Sequence, residues 1–382
     1  MPLLLISMDF PPHKDGITTL SEQLAVRLHN NTDPFYVIGP SARGDKEYDS
    51  KQPFKIYRSP LYDYGYLKLL PLLFIVPYVV YKHNIDKIIA TNIGYGGLLA
   101  WVLQKFKKLD YIVTAQGYEF QKFVNNRIIK SVYTRIYRNA KAIISCSNYV
   151  KKKLVDFGVA DNIILTVYPA VDTGRFKPKD VPADFINKYA LKDKRIILSV
   201  SRLISRKGHD KVIEALPVIK KECPDILYII IGKGPQKDHL EELARRNDVA
   251  GNIFFAGEIP DDDLVMFYNL CDLFVMPSRE TENDGHIEGF GIVFIEANAC
   301  RKPVVGGRSG GVPEAVIDGK TGLLANPLDP SDIADKIIRI LKDRKYAREL
   351  ADNGYSFVRD RFSWDFYADR FKNIIYSPKR YT

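Results

Sequence analysis

The sequence predicts an α/β protein of two doubly wound, Rossmann-like domains in tandem. Three observations carry this reading. The chain has 382 residues, enough for two domains of roughly 100–200 residues each. Short runs that are almost continuously apolar recur along it, as in parallel strands covered on both faces. Longer stretches of helical period separate these runs and complete β-α-β units.

Taken in order, Leu3–Met8 is a first buried strand; it lacks the positively charged start of a secretory signal. Phe35–Ile38, Ile85–Thr91, Tyr111–Thr114 and Ala142–Cys146 follow as strands. Leu69–Tyr81 is the most apolar stretch. It falls short of the roughly 20 residues that span a bilayer, and Pro71 and Pro77 interrupt it. It reads as a core helix or helix pair, with interfacial contact as the alternative. Tyr168–Pro182 holds three prolines and a glycine and marks a boundary after residue 170. Strands Arg195–Val200, Ile226–Ile231, Asn252–Ala256, Leu273–Met276 and Pro303–Val305 then build the second domain, with helices such as His209–Lys221 and Ser331–Leu341 between them.

Hydrophobic residues make up 46% and charged residues 27%, which excludes a disordered chain. Cys146, Cys223, Cys271 and Cys300 form no C-x-x-C pair. That excludes a disulfide scaffold and a zinc finger, and it suits a reducing cytosol. The net charge is +10. Residues 1–170 hold 22 basic against 13 acidic side chains, and the rest hold 34 against 33. Such a one-sided field attracts a polyanion, a membrane surface or an acidic ligand. Within it, the segment Lys122–Lys141 carries Phe123, Ile128, Ile129, Val132, Ile136 and Tyr137 at helical spacing. Lys122, Arg127, Lys130, Arg135 and Arg138 accompany them, and Lys151–Lys153 follow. Two readings stand: an amphipathic helix with a solvated basic face, or attachment to anionic lipid.

Doubly wound sheets bind ligands beyond the carboxyl ends of their strands. There lies Glu288–Glu296, after the strand Leu273–Met276 and the polar loop Ser278–Ile287. Gly289 and Gly291 allow close backbone approach, and a helix starting near Gly291 offers its N–H groups to an anion. Glu296 sits in a helix that is apolar nearly all round, so its carboxylate needs a partner: an internal Arg or Lys, or a ligand diol. The loop Ser201–Gly208 sets Arg202, Arg206 and Lys207 before a helix at His209, as phosphate ligands or as solvated charges. Gly232-Lys233-Gly234-Pro235, Gly306-Gly307 with Gly310-Gly311, and Asp15-Gly16 are each a phosphate cradle or a tight turn. Neither a phosphate loop nor a good G-x-G-x-x-G is present. Asp261-Asp262-Asp263 precedes the helical pattern Leu264–Leu270 and reads as its cap rather than as an Asp-x-Asp metal site.

Jointly and in this order, these motifs resemble the retaining glycosyltransferases of family four. The residues are Glu288-x7-Glu296, Ser201-Arg202-Leu203 with Arg206-Lys207-Gly208, Gly232-Lys233-Gly234-Pro235, and Gly310-Gly311-Val312-Pro313-Glu314. Pro169-Ala170-Val171-Asp172 with Arg175-Phe176 is similar to the family's linker, and Phe10-Pro11-Pro12 with Gly16 to its first loop. The resemblance is strong over residues 195–326. It implies the GT-B fold, with two Rossmann-like domains facing a cleft. Residues 1–170 would bind acceptor, residues 171–362 would bind the nucleotide-sugar, and a C-terminal helix, 363–382, would cross back to the first domain.

The resemblance further implies site roles. Arg202 and Lys207 would hold the donor diphosphate and, with Glu288, form the catalytic set. Glu288 would face the sugar hydroxyls, with Gly289, Phe290, Gly291 and Ile292 beside it. Glu296 would bind the ribose hydroxyls, and Gly16, Gly232 and Gly234 would join the donor site. The nucleotide-sugar is a substrate, so no cofactor and no metal are expected. Glu288 with the loop Glu282–His286 looks most like mannosyltransferases using GDP-mannose, with UDP-hexose donors as the alternative. The acceptor would be a cell-envelope glycan or a lipid-linked sugar, as in polysaccharide or lipopolysaccharide assembly. The protein would be cytoplasmic and peripheral on the inner face of an anionic membrane, with no nucleic-acid partner.

The sequence departs from the family after Tyr111–Thr114. Gln116 stands where a His is expected near the sugar, and Gln is no base. Glu119 is a candidate base or a helix cap on the acceptor side. Two other classes compete. A basic nucleic-acid-binding α/β protein lacks support from any recognised reading module. A dinucleotide-dependent oxidoreductase lacks its phosphate-binding fingerprint.

Overall fold

The computed structural model describes residues 2–13, 16–29, 33–60, 67, 69–120, 126–281 and 287–377. Asp15, Lys122, Phe123 and the loop Glu282–His286 lie outside the described residues. The chain divides into two compact units, Met1–Ala170 with Trp364–Thr382, and Val171–Ser363.

The first unit is built on β1 (Leu3–Ile6), β2 (Phe35–Pro40), β3 (Lys55–Ser59), β4 (Lys87–Ala90), β5 (Asp110–Ala115), β6 (Ala142–Ser145) and β7 (Ile164–Thr166). They form one sheet in the order β3-β2-β1-β4-β5-β6-β7, with parallel pairing throughout. In the second unit the strands are β8 (Arg195–Val200), β9 (Ile226–Ile231), β10 (Ile253–Gly257), β11 (Leu273–Met276), β12 (Val304–Gly307) and β13 (Leu323–Ala325). Their order is β10-β9-β8-β11-β12-β13, again parallel. These are the two doubly wound sheets that the apolar runs foretell. In the second unit, Val212, Ile213 and Leu216 of the helix His209–Glu222 and Ile333 and Ile337 of the helix Pro330–Lys342 pack with Ile197, Tyr228, Val275 and Val305 of the sheet.

The strands β3, β7 and β13 were not among the apolar runs, and all three are sheet edges. β3 reads Lys-Ile-Tyr-Arg-Ser and is mostly half-exposed. β7 and β13 have three residues each. An edge strand has one uncovered side, and short or charged edges resist pairing with other chains.

Leu69–Lys82 is a single helix with Pro77 inside it, not a helix pair. It is only half a core element. Leu72, Val76, Val79 and Val80 are fully covered, whereas Leu70 (51%), Leu73 (45%), Phe74 (77%), Tyr78 (53%) and Tyr81 (56%) are exposed. The three aspartates also differ from expectation. The helix starts at Asp261 itself, Pro260 is its cap residue, and no side chain caps it. Asp261, Asp262 and Asp263 form its first turn, where the helix dipole favours them. Asp263 accepts from Lys188 Nζ (2.9 Å) and the Tyr189 hydroxyl (2.7 Å).

The two chain crossings lie side by side. Val171 N donates to Phe362 O at 2.9 Å. Beyond it, the helix Trp364–Tyr376 packs in the first unit. Arg27 pairs there with Asp365 (3.0 Å), and Lys141 Nζ donates to Ser377 O (2.9 Å).

Candidate functional site

In the second sheet the strand order reverses between β8 and β11. Loops leaving the carboxyl ends of two such strands diverge and leave a crevice for ligands. The loop after β8 carries Arg202, Arg206 and Lys207, and the loop after β11 leads to Glu288. The topology therefore brings together two motifs that lie more than eighty residues apart.

Glu288 is the centre of the cluster. Its Oε2 accepts from Lys207 Nζ at 2.6 Å and Arg206 Nη1 at 2.7 Å, with Ser278 Oγ at 3.5 Å. The three charged side chains are only 11–14% exposed. Burial raises the Glu288 carboxyl, but the two cations outweigh it and hold the group below the ordinary carboxylate range. Arg206 Nη1 also reaches Ile287 O (3.3 Å), so it grips the backbone beside the carboxylate it pairs with. Arg202 is exposed, and no described side chain pairs with it.

Neighbouring groups fix the cluster. Arg279 makes a two-pronged pair with Asp210, at 3.0 and 2.9 Å, and its N–H donates to Arg206 O (2.8 Å). His209 is buried between the Ser201 hydroxyl (2.8 Å) and the Tyr228 hydroxyl (2.9 Å). Burial, with Lys207 adding to it, pushes this imidazole down to about 4, so it is neutral at pH 7. Close backbone approach explains the glycines. A Cβ on Gly310 would lie 2.6 Å from Glu288 O, and one on Gly208 would lie 2.2 Å from Pro277 O. Gly232 and Gly234 press in the same way on the backbone of Ser201 and Leu203, and the Gly232 N–H donates to Gly257 O. These two glycines thus seat the Arg202 loop.

Gly291 caps the helix Ile292–Ala299 in the left-handed region. A Cβ there would strike the Phe294 ring. Phe290 is buried, its ring 5.6 Å from that of Phe362. Glu296 lies in the second turn of this helix, partly covered. Its Oε2 accepts from the Tyr268 hydroxyl at 2.7 Å. Among the described residues no Lys or Arg is within ion-pair distance, so the internal-cation reading does not hold there. Burial raises its carboxyl above the ordinary 4.5, against the Tyr268 hydrogen bond and the more distant Arg175.

In the first unit, Gly16 opens the helix Gly16–Leu28. Glu119 is 2% exposed. Its two oxygens accept from the backbone N–H groups of Gln116 (2.8 Å) and Gly117 (2.6 Å). It therefore braces the turn after β5. The Gln116 side chain has no described partner. Sequence reasoning missed Arg206 as a partner of Glu288, and it missed His209, Tyr268 and the Arg279–Asp210 pair. Among these, only the clustering of Arg206 with Lys207 was visible beforehand.

Comparison with known proteins gives the family and the fold. Residues 183–357 match the family described as "Glycosyl transferases group 1", and residues 14–175 match "Glycosyltransferase Family 4". The chain is 30% identical over 367 residues, 95% of each chain, to a GDP-mannose-dependent α-(1-6)-phosphatidylinositol monomannoside mannosyltransferase of Mycolicibacterium smegmatis. It is 28% identical over 377 residues, 98% of this chain and 97% of the other, to the enzyme of the same description from Mycobacterium tuberculosis. Among solved structures, an Anabaena protein crystallised with UDP and glucose superposes with a TM-score of 0.81 at 19% identity over 98% of each chain. A sucrose-phosphate synthase from Thermosynechococcus elongatus does so with 0.80 at 23%, also over 98% of each. At these identities the likeness to the solved structures speaks to the fold, GT-B, alone.

Proposed function

The chain belongs to the family 4 glycosyltransferases, and from that premise we propose that it is a retaining mannosyltransferase using GDP-mannose. Its acceptor is a lipid-linked or cell-envelope glycan. One observation carries the site assignment: two cations converge on one carboxylate at the switch point of the second sheet, with Arg202 exposed in the same loop and a second carboxylate on the following helix. The names of the mycobacterial relatives support the donor base, the sugar and the lipid-linked acceptor.

In this reading Arg202 and Lys207 hold the diphosphate, Glu288 reads the sugar hydroxyls and Glu296 clasps the ribose diol. Breaking the glycosyl–phosphate bond builds negative charge on the diphosphate while the sugar becomes oxocarbenium-like. Preorganised cations aimed at that charge lower the barrier. The acceptor attacks from the face that the leaving group departs, and a donor phosphate oxygen takes its proton. No protein nucleophile is needed, which agrees with Glu119 being spent on backbone N–H groups. Gln116 serves as a hydrogen-bonding group toward the sugar or acceptor.

The test is transfer of labelled hexose from GDP-mannose, UDP-glucose and UDP-galactose into a lipid-extractable fraction. Turnover with GDP-mannose supports the proposal; turnover with a UDP-sugar alone, or stabilisation by NAD in place of GDP, refutes it.

We infer further that the protein docks on an anionic membrane from its cytoplasmic side. The exposed stripe of the helix Leu69–Lys82 supports this, since monomers seldom leave so large an apolar patch uncovered. Cations flank it: Lys82 Nζ bonds the Tyr78 hydroxyl, and Lys107 Nζ lies 6.0 Å from the Tyr81 ring. The helix Arg127–Asn139 adds a basic face, with Arg127, Lys130, Arg135 and Arg138 exposed. No helix among the described residues is long and apolar enough to cross a membrane.

A further inference from the structure

We propose that Glu288 is an internal counter-ion which the donor's diphosphate displaces from Lys207, while Arg206 keeps hold of it and turns it to the sugar. This rests on the donor site proposed above and adds an exchange step to it.

The geometry sets up a competition. The Lys207 ammonium has one carboxylate on it, at 2.6 Å, and no other described acceptor. A diphosphate bound at Lys207 must share or take that donor. Both partners are nearly dry, so a buried charge cannot be left unpaired without a large penalty. A diphosphate carries more negative charge than a carboxylate, and its oxygens suit an ammonium at least as well. It can therefore replace Glu288 at Lys207 without leaving the lysine bare. Arg202, exposed and with no ion pair among the described residues, is free to meet the diphosphate first.

Glu288 is not left bare either. Arg206 holds it at 2.7 Å and grips Ile287 O as well, so this guanidinium travels with the segment that carries the carboxylate. The Arg206 backbone is in turn tied to Arg279, whose fork is locked on Asp210. Arg206 is thus a positioning residue: it acts on the sugar through Glu288. Exchange makes recognition ordered. A ligand with a diphosphate frees the carboxylate that reads its hexose, whereas a nucleoside monophosphate pays for no such release.

The inference is tested by calorimetry of GDP, GMP and guanosine binding to wild type, Glu288→Gln and Glu288→Asp, alongside transfer kinetics. Removing the competing charge (Gln), or drawing it back by one methylene (Asp), should tighten GDP binding about tenfold while guanosine affinity stays constant. Transfer should fall in both variants, because the sugar contact is lost. Arg206→Gln should lower kcat and weaken GDP binding, each by at least tenfold, while guanosine affinity stays constant, because a displaced Glu288 would then have no cation left on it. Two variants guard against a folding defect, which unchanged guanosine affinity would exclude. Equal or weaker GDP binding by both Glu288 variants, with guanosine still bound, overturns the exchange alone. If wild type binds neither GDP nor UDP, the donor reading falls and the exchange falls with it.

Discussion

Glu296 offers a prediction that ties burial to binding through pH. Its carboxyl is raised above the ordinary 4.5 chiefly by burial, with one hydrogen bond from Tyr268 opposing the shift. A ribose diol donates two hydrogen bonds to a carboxylate and fewer to a carboxylic acid. Each charge-assisted bond contributes about 1.5–3 kcal/mol net, so Glu296→Gln, which keeps one good acceptor, should weaken GDP binding by about tenfold to a hundredfold at pH 7.5. The sign follows from which form binds. Above the raised pKa the group is ionised and the full advantage of wild type over the variant is present. As pH falls through the raised pKa, wild type becomes neutral and the advantage shrinks, at up to tenfold per pH unit. An unperturbed carboxylate would keep its advantage down to about 4.5. Calorimetric affinities of wild type and Glu296→Gln from pH 7.5 to 5 give the ratio, in which the nucleotide's own titration cancels. A ratio near unity at pH 7.5 would refute the assignment of Glu296 to the ribose; a ratio that shrinks only below the ordinary carboxylate range would refute the raised carboxyl.

Other predictions concern charge, stability and surface. Lys207→Ala should lower kcat by about 10²–10³, the usual loss when one donor to a developing anion is removed; stopped assays with saturating GDP-mannose read this. His209 falls from 6.5 unfolded to about 4 folded, and a pKa unit is about 1.36 kcal/mol, so neutral burial links about 3 kcal/mol of stability to pH. That stability is fully present above pH 6.5 and is lost as pH falls toward 4; urea unfolding should show the loss in wild type and a smaller one in His209→Gln. Phe74→Glu, on the exposed stripe of the helix Leu69–Lys82, should abolish sedimentation with vesicles containing anionic lipid while leaving GDP affinity intact. Unaltered vesicle binding would point to the basic helix Arg127–Asn139 as the contact.

The fold was legible wherever burial is complete. Each interior strand of the two sheets coincides with a continuous apolar run, because a parallel strand covered on both faces has no room for alternation. β3, β7 and β13 escaped for the converse reason. Each lies at an edge, where the exposed Lys55 of β3 or the brevity of β13 costs nothing in burial, and where the covered Arg58 of β3 is paired with Asp49. The helix Leu69–Lys82 misled in a different way. Its composition is uniformly apolar, so periodicity gave no hint that one face is uncovered; only neighbours in space decide that, and they come from β3 and the helix Leu98–Leu103.

The site was legible in residue type but not in pairing. Arginine and lysine after β8 and glutamate after β11 announce anion and hydroxyl chemistry, yet nothing in the sequence says that the carboxylate and the cations meet. That meeting is a consequence of strand order: β8 and β11 are neighbours, so loops eighty residues apart share one crevice. The same logic separates Glu288 from Glu296. The first stands just before a helix and is drawn onto two cations. The second is eight residues on, inside that helix, with a tyrosine hydroxyl and no described cation. One carboxylate is held ionised by charge and the other is raised by burial. Two identical side chains thus acquire opposite proton affinities from their neighbours. In the proposed mechanism each uses its own: Glu288 stays anionic through the exchange with phosphate, and Glu296 gives nucleotide binding its sensitivity to acid.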